Sequence, residues 1–255
     1  MMKREGKKAS AIMWIALALC LVCAVLLALA LHSRAEHAKP ASKDPEGAIA
    51  AQEDEDRTVD VPVDFAAWQE RNPDVYAWIE YPGTNVDYPI VQNAEDDAYY
   101  LRRDIDGKEA VAGSLYTEHT YNSKTFDDPV TVIYGHNMAN RTMFGGLQSH
   151  IEAADLASTE EYFYVYLPGR ILTYRVVGGA PGDDAHILYY NDFSDPTGFS
   201  NYFGNLYAQS GGHVNLPGLL RPSPDDRVVI LATCMNGERY LRYLIIGVLT
   251  DDTAD

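Results

Sequence analysis

The chain of 255 residues contains little cysteine and little positive charge. Two of its three cysteines, Cys20 and Cys23, lie inside an apolar run, which excludes a disulfide scaffold. Twenty Lys and Arg residues stand against 37 Asp and Glu residues, for a net charge of −17. Binding a nucleic-acid backbone needs a concentrated basic face, so a general nucleic-acid role is excluded. Hydrophobic residues make up 47% of the chain, enough for an ordinary buried core.

Histidine clusters and internal repeats are also missing. No two of the seven histidines are spaced along the chain, together with a cysteine, as the ligands of a zinc site usually are. We therefore expect no metal site and no cofactor. At this length, the chain is expected to form one domain with appendages.

The N-terminal segment predicts a membrane anchor. It begins with four basic residues, which are Lys3, Arg4, Lys7 and Lys8. An uncharged apolar stretch follows from residue 9 to 31, and about 20 such residues span a bilayer. Because basic residues mark the cytoplasmic flank, we expect residues 1–34 to be a cytoplasmic tail and an uncleaved single-pass anchor in the cell membrane. The alternative is a cleaved secretory signal ending near Ala28–Ala30, although signal cores are usually shorter.

The segment after the anchor is polar, rich in alanine and acidic, with four consecutive acidic residues at 53–56. Residues 35–60 are therefore predicted to be a flexible tether, and residues 61–255 to be the folded extracellular domain. Cys234 is the single cysteine of that domain. An unpaired thiol outside the cell calls for a functional explanation.

The folded part is predicted to be mainly β. Short apolar segments separated by turn residues indicate strands at 86–91, 113–116, 130–134, 162–167, 171–177, 228–233 and 243–249. This pattern is typical of a small barrel or sandwich. Strands and helices do not alternate along the chain, which argues against a doubly wound fold. Helical patterns cover residues 143–156 and 196–209, and one or two short amphipathic helices are expected over residues 65–79.

Three residue types with catalytic potential lie where apolar strands end. Cys234 follows the apolar run 228–233, and His136 follows the strand at 130–134. Arg239 and Arg242 come shortly after the cysteine. Each has an ordinary structural alternative: a small core residue for the cysteine, a hydrogen-bonded loop residue for the histidine and a solvated strand edge for the arginines.

Taken together, these segments resemble the class B sortases, the membrane-anchored cysteine transpeptidases of Gram-positive cell surfaces. Residues 130–138 and 143–147 are similar to the family's histidine motif, and Leu231–Cys234 to its T-L-x-T-C signature. Arg242 resembles the arginine that opens the final strand, while residues 72–79 and 87–92 match the N-terminal part of class B members. The resemblance covers about residues 61–250.

Three positions depart from the family pattern: Ile230, Glu118 and Val248. Ile230 replaces the first threonine of the signature, and Glu118 stands where aspartate is frequent. Val248 stands where a basic residue is common. We expect the change at Ile230 to alter only packing, because it precedes Cys234 by four residues.

The resemblance implies a sortase-like eight-stranded β-barrel with N-terminal helices. It also places a helix at 196–209 in the connection between strands 6 and 7. It further implies that Cys234 attacks a C-terminal sorting motif of a secreted protein and forms a thioester. His136 would exchange the proton, and Arg242 would hold the substrate carbonyl. An amine of peptidoglycan or of a pilin subunit would then resolve the thioester. The expected substrate contacts are Leu231, Thr233 and Tyr190.

Alternatives remain for the arginine and for the function. If Asn236 and Gly237 form a two-residue hairpin turn, Arg239 would lie opposite Cys234, whereas the family pattern selects Arg242. A different extracellular cysteine peptidase is a second functional class, but papain-like enzymes carry the cysteine before the histidine. A membrane-tethered binding module with an inactive barrel is a third class, against which the retained catalytic residues argue.

Overall fold

The computed structural model describes residues 59–254, in which eight strands close into a barrel in the order β1-β2-β3-β4-β7-β8-β6-β5. The strands are β1 (Val75–Tyr81), β2 (Val86–Val91), β3 (Leu115–Tyr116), β4 (Val130–Tyr134), β5 (Tyr162–Leu167), β6 (Arg170–Asp183), β7 (Val228–Met235) and β8 (Glu238–Asp252). The helices are α1 (Phe65–Arg71), α2 (Leu147–Ala153), α3 (Ile187–Tyr190) and α4 (Pro196–Tyr207), with short 3-10 helices at Tyr99–Arg102 and Gly218–Leu220. The predicted mainly β class and eight-stranded barrel are confirmed.

The N-terminal part of the domain differs from the prediction. Helix α1 forms as expected, and the Asp64 carboxylate caps it by accepting from the Ala67 N–H at 3.0 Å. The expectation of a helix over the second half of residues 65–79 is wrong, because Val75–Tyr81 forms strand β1. This strand pairs with β2 on one side and β5 on the other, so tertiary pairing decides the conformation of a short run rich in aromatic and β-branched residues.

Strands β4 and β7 are parallel neighbours, and apolar residues cover both of their faces. On β7, Val229 and Leu231 point into the barrel core, whereas Val228 and Ile230 belong to a second cluster outside it. Burial on both sides explains why residues 228–233 form a continuous apolar run instead of an alternating one. Ile230 is fully buried in the outer cluster, in keeping with a packing role.

The second cluster is formed by the connection between β6 and β7, residues 184–227. Helix α4 starts at a cap where the Asp195 carboxylate accepts from two backbone N–H groups at 3.1 Å. Its side chains Phe199, Phe203 and Leu206 are buried against the outer face of β4, β7 and β8. The prediction of a helix in this connection is confirmed.

The predicted anchor, residues 1–34, lies outside the described residues, as does nearly all of the predicted tether. Between residues 59 and 254, no helix is both long and apolar enough to cross a membrane.

Candidate active site

The parallel pairing of β4 and β7 brings His136 and Cys234 to the same end of the barrel. The register runs from Val130 opposite Val228 to Tyr134 opposite Ala232. The ladder extends one step further, since the Gly135 N–H donates to the Ala232 carbonyl at 3.1 Å. Continued by two residues, the register places His136, just beyond the end of β4, beside Cys234, which is near the end of β7.

The antiparallel pairing of β7 and β8 places Arg242 directly opposite Cys234. A tight turn at Asn236–Gly237 does form, with Met235 paired to Glu238 and a φ of +79° at Gly237. The register then shifts, and residues 239–241 of β8 have no counterpart on β7 before the Cys234–Arg242 pair. Opposite residues of an antiparallel pair project their side chains to the same face, so thiol and guanidinium share one side of the sheet.

These three residues border a groove of about 240 Å³. Alternation along β7 and β8 puts Cys234 and Arg242 on the outer face, the same face as Ala232 and Leu244. One wall of the groove is the first part of the β6–β7 connection, residues 184–187, and Leu101 lies at its border as well. Cys234 is a free, exposed thiol, so a substrate can reach it from solvent.

The His136 ring is oriented by a backbone carbonyl. Its Nε2 lies 2.7 Å from the Leu101 carbonyl oxygen, which can only accept, so Nε2 carries the proton and donates. Nδ1 is then the nitrogen available for proton exchange. Gly113 packs against this carbonyl segment: an added Cβ would lie 2.6 Å from the Leu101 oxygen, and its φ is +56°. A larger residue at Gly113 would therefore displace the group that holds the histidine.

Asn137 connects the histidine loop to the end of the cysteine strand. Its side-chain amide donates to the Cys234 carbonyl at 2.7 Å and to Asn236 Oδ1 at 3.0 Å. The Asn236 N–H in turn donates to the buried Gln148 side chain at 3.0 Å. Gln148 is itself held by Glu152, to which its amide donates at 2.8 Å. We call Asn137, Asn236 and Gln148 the brace of the β7–β8 turn.

Sequence reasoning missed Leu101 and the brace for different reasons. Leu101 acts through its backbone carbonyl, so its side chain carries no indication of the role. Gln148 also lies far from the catalytic residues along the chain. Asn137 was detectable in principle, because a polar amide directly after His136 at a strand end is well placed to reach a neighbouring strand.

The three expected substrate contacts are not grouped in the groove, and two of them need correction. Leu231 is fully buried in the barrel core, where no substrate can touch it. Tyr190 is exposed at the end of α3 but does not border the groove. Thr233 borders the groove, yet its side chain is 2% exposed and alternates with Cys234 toward the interior. The backbone of Thr233 is thus the part that faces the groove.

Comparison with known proteins identifies the family. No model of a known protein family matches the sequence. Sortase B of Listeria monocytogenes is 30% identical over 174 residues, which are 68% of this chain and 67% of the relative. Sortase B of Staphylococcus aureus is 27% identical over 88 residues, 34% of this chain and 35% of that protein.

Solved structures agree on the fold. Clostridium perfringens sortase B superimposes with a TM-score of 0.61 at 24% identity, covering 73% of this chain and 100% of that chain. A Staphylococcus aureus sortase B–substrate complex gives a TM-score of 0.61 at 18% identity, covering 73% of this chain and 84% of that chain. A barrel with cysteine, histidine and arginine at neighbouring strand ends, together with these relatives, defines the class as a sortase-type cysteine transpeptidase. The chain belongs to the class B sortase family.

We predict that Asn137→Ala lowers kcat about 10- to 100-fold, because it releases the cysteine strand end from the histidine loop and misplaces the two groups. Turnover of a peptide substrate provides the measurement. Asn140→Ala is the matched control, since Asn140 bonds only to Thr142 within the same loop. Equal losses in the two variants would show that general loop disruption, and not the brace, is responsible.

Proposed function

We propose that this protein cleaves a C-terminal sorting motif of secreted proteins and transfers the acyl part to an amine at the cell surface. The observation that carries the proposal is the strand register, which gathers His136, Cys234 and Arg242 at one groove. Support also comes from relatives: one Staphylococcus aureus sortase B structure is a substrate complex, and a Bacillus anthracis sortase B structure is a complex with AAEK1.

In the first half-reaction, the Cys234 thiolate attacks the scissile carbonyl carbon of the sorting motif. A carbon–sulfur bond forms, the carbon–nitrogen bond breaks, and a thioester remains on the enzyme. The departing amine needs a proton, which His136 supplies. Nδ1 is the nitrogen that serves this role, because Nε2 is committed to the Leu101 carbonyl.

Arg242 stabilises the charge that develops on the substrate carbonyl oxygen. A guanidinium is cationic and presents a fixed set of donors. This role is supported by the register, in which Arg242 lies opposite Cys234 and the two side chains share one face of the sheet. Thr233 contributes at the same place through its backbone, since its side chain faces the interior.

In the second half-reaction, an amine of peptidoglycan or of a pilin subunit attacks the thioester carbon. His136 accepts the proton from the amine, a new amide bond forms, and the carbon–sulfur bond breaks to release the Cys234 thiolate, which together with protonated His136 starts the next cycle. The exposure of Cys234 leaves room for this acceptor to approach from solvent.

We also propose that the enzyme is held at the outer face of the cell membrane. Residues 1–34 would serve as the cytoplasmic tail and anchor, residues 35–60 as the tether and residues 61–255 as the extracellular catalytic domain. The basic residues before the apolar stretch 9–31 support this orientation. N-terminal sequencing of the mature protein tests it, because a start near His32 would mean that the segment is cleaved.

We predict that Cys234→Ala abolishes both peptide turnover and the thioester, because no other cysteine lies between residues 59 and 254. Mass spectrometry after mixing with a sorting-motif peptide detects the acyl-enzyme directly. The free energy of unfolding should stay within about 1–2 kcal/mol of the wild-type value, a typical effect of one substitution. Residual turnover in a folded Cys234→Ala protein would remove this thiol from the mechanism.

We predict that Arg242→Lys loses about 100- to 1000-fold in kcat, the usual cost of one oxyanion donor, because an ammonium cannot replace the guanidinium fork. Arg239→Lys is the matched control and should stay within a few-fold of wild type. Its backbone lies in the segment without a counterpart on β7. Both variants are compared on one peptide with matched circular dichroism, and exchanged phenotypes would transfer the catalytic role to Arg239.

A further inference from the structure

Glu118 and His186 meet at the wall of the catalytic groove. Glu118 follows β3, and its Oε2 lies 2.9 Å from His186 Nε2. The Glu118 side chain is only 12% exposed, and His186 borders the groove that contains Cys234. The contact therefore joins the barrel to the first residues of the β6–β7 connection. It is a close polar contact and not a linear hydrogen bond.

Both ring nitrogens of His186 are occupied. Nδ1 accepts from the Tyr189 N–H at 3.0 Å and so caps helix α3. A nitrogen that accepts carries no proton, so the proton of the neutral ring is on Nε2, which faces Glu118. The ring of Tyr121 packs on the imidazole with centroids 4.6 Å apart. These contacts hold the ring in one orientation.

The electrostatic surroundings of Glu118 favour its contact with His186. Burial raises the pKa of Glu118 and Asp97 adds to this effect, whereas His186 and the Tyr134 hydroxyl act in the opposite direction. A carboxylate with so little access to water needs a partner. Removing His186 would leave Glu118 without its nearest compensating group.

Helix α3 depends on outside support. It has four residues, and an isolated helix of this length is not stable in water. The residues just before it, 184–187, form one wall of the groove. The position of this wall relative to Cys234 therefore depends on what ties the start of the connection to the barrel.

We propose that Glu118 and His186 are positioning residues that hold the groove wall at the separation from Cys234 that the sorting peptide requires. The inference rests on the proposed function. Binding of the peptide depends on the pair, whereas the bond-breaking step does not, because the two ring nitrogens of His186 face Tyr189 and Glu118, and Glu118 does not border the groove.

The central test is His186→Asn, measured by steady-state kinetics on a sorting-motif peptide that the wild type cleaves. Asparagine still offers an oxygen that caps α3, but it is too short to reach Glu118. We expect KM to rise about 5- to 30-fold, the effect of losing one contact to a charged group, with kcat within about twofold of wild type. Labelling of Cys234 by a small thiol reagent should be unchanged.

A matched control uses a second histidine–glutamate pair. His150 Nε2 lies 2.9 Å from Glu161 Oε2, the same distance, and neither residue borders the groove. His150→Asn should leave KM unchanged.

Two variants of Glu118 test whether the change in KM comes from the lost contact with His186 or from a general loss of stability. Glu118→Gln keeps an oxygen facing Nε2 but loses the charge, so KM should rise less than in Glu118→Ala. Glu118→Ala should raise KM as much as His186→Asn does. The double variant should be no worse than either single one, because both changes remove the same contact.

Several outcomes would overturn the inference. An unchanged KM in His186→Asn would mean that the wall does not depend on the pair. A fall in kcat at constant KM would mean that His186 takes part in the chemical step. Additive effects on KM in the double variant would mean that the two residues act independently and not through their shared contact. If the wild type cleaves no sorting-motif peptide, the proposed function fails, and the inference fails with it.

Discussion

The catalytic arrangement depends on the parallel pairing of β4 and β7. Residues almost a hundred positions apart in the chain become neighbours because Tyr134 pairs with Ala232, so that His136 and Cys234, each two residues further along, lie at the same level. Parallel strands need long connections, and here the intervening chain supplies β5, β6 and the α-helical insert. The histidine and the cysteine are thus placed by backbone hydrogen bonds deep in the sheet, and side-chain contacts only refine their orientation.

Much of the fold was accessible from the sequence because the strands carry strong local indications. Continuous apolar runs such as 228–233 and the capped helix at 196–209 are unambiguous. Strand β1 was mistaken for a helix because a short run of aromatic and β-branched residues fits either structure until its partners are known. The helix expected over 143–156 is shorter, since Met143 and Gly146 take left-handed conformations, with φ of 55° and 95°.

The site was predictable to a different degree for each residue. Cys234 lies at the end of one apolar strand and His136 just after another, and both match ordered motifs, so both could be proposed from the sequence. The choice of Arg242 over Arg239 rested on the family pattern, because the sequence does not reveal that a tight turn and a register shift occur in the same hairpin. Leu231 belongs to the same motif as Cys234, but strand alternation turns its side chain into the barrel core, so membership of the motif does not imply contact with a substrate. The contact between His136 and the Leu101 carbonyl could not be predicted, because every residue type has a backbone carbonyl.

The floor and the wall of the groove belong to elements that pack in two different hydrophobic clusters. Its floor belongs to strands whose inner faces fill the barrel, while its wall belongs to a connection packed on their outer faces. Repacking one cluster does not require repacking the other, because the sheet lies between them. Mutations in the connection can therefore shift the wall while the barrel core stays packed. Because Cys234 and Arg242 project from the face on which the connection packs, such a shift changes the distance from the wall to both side chains.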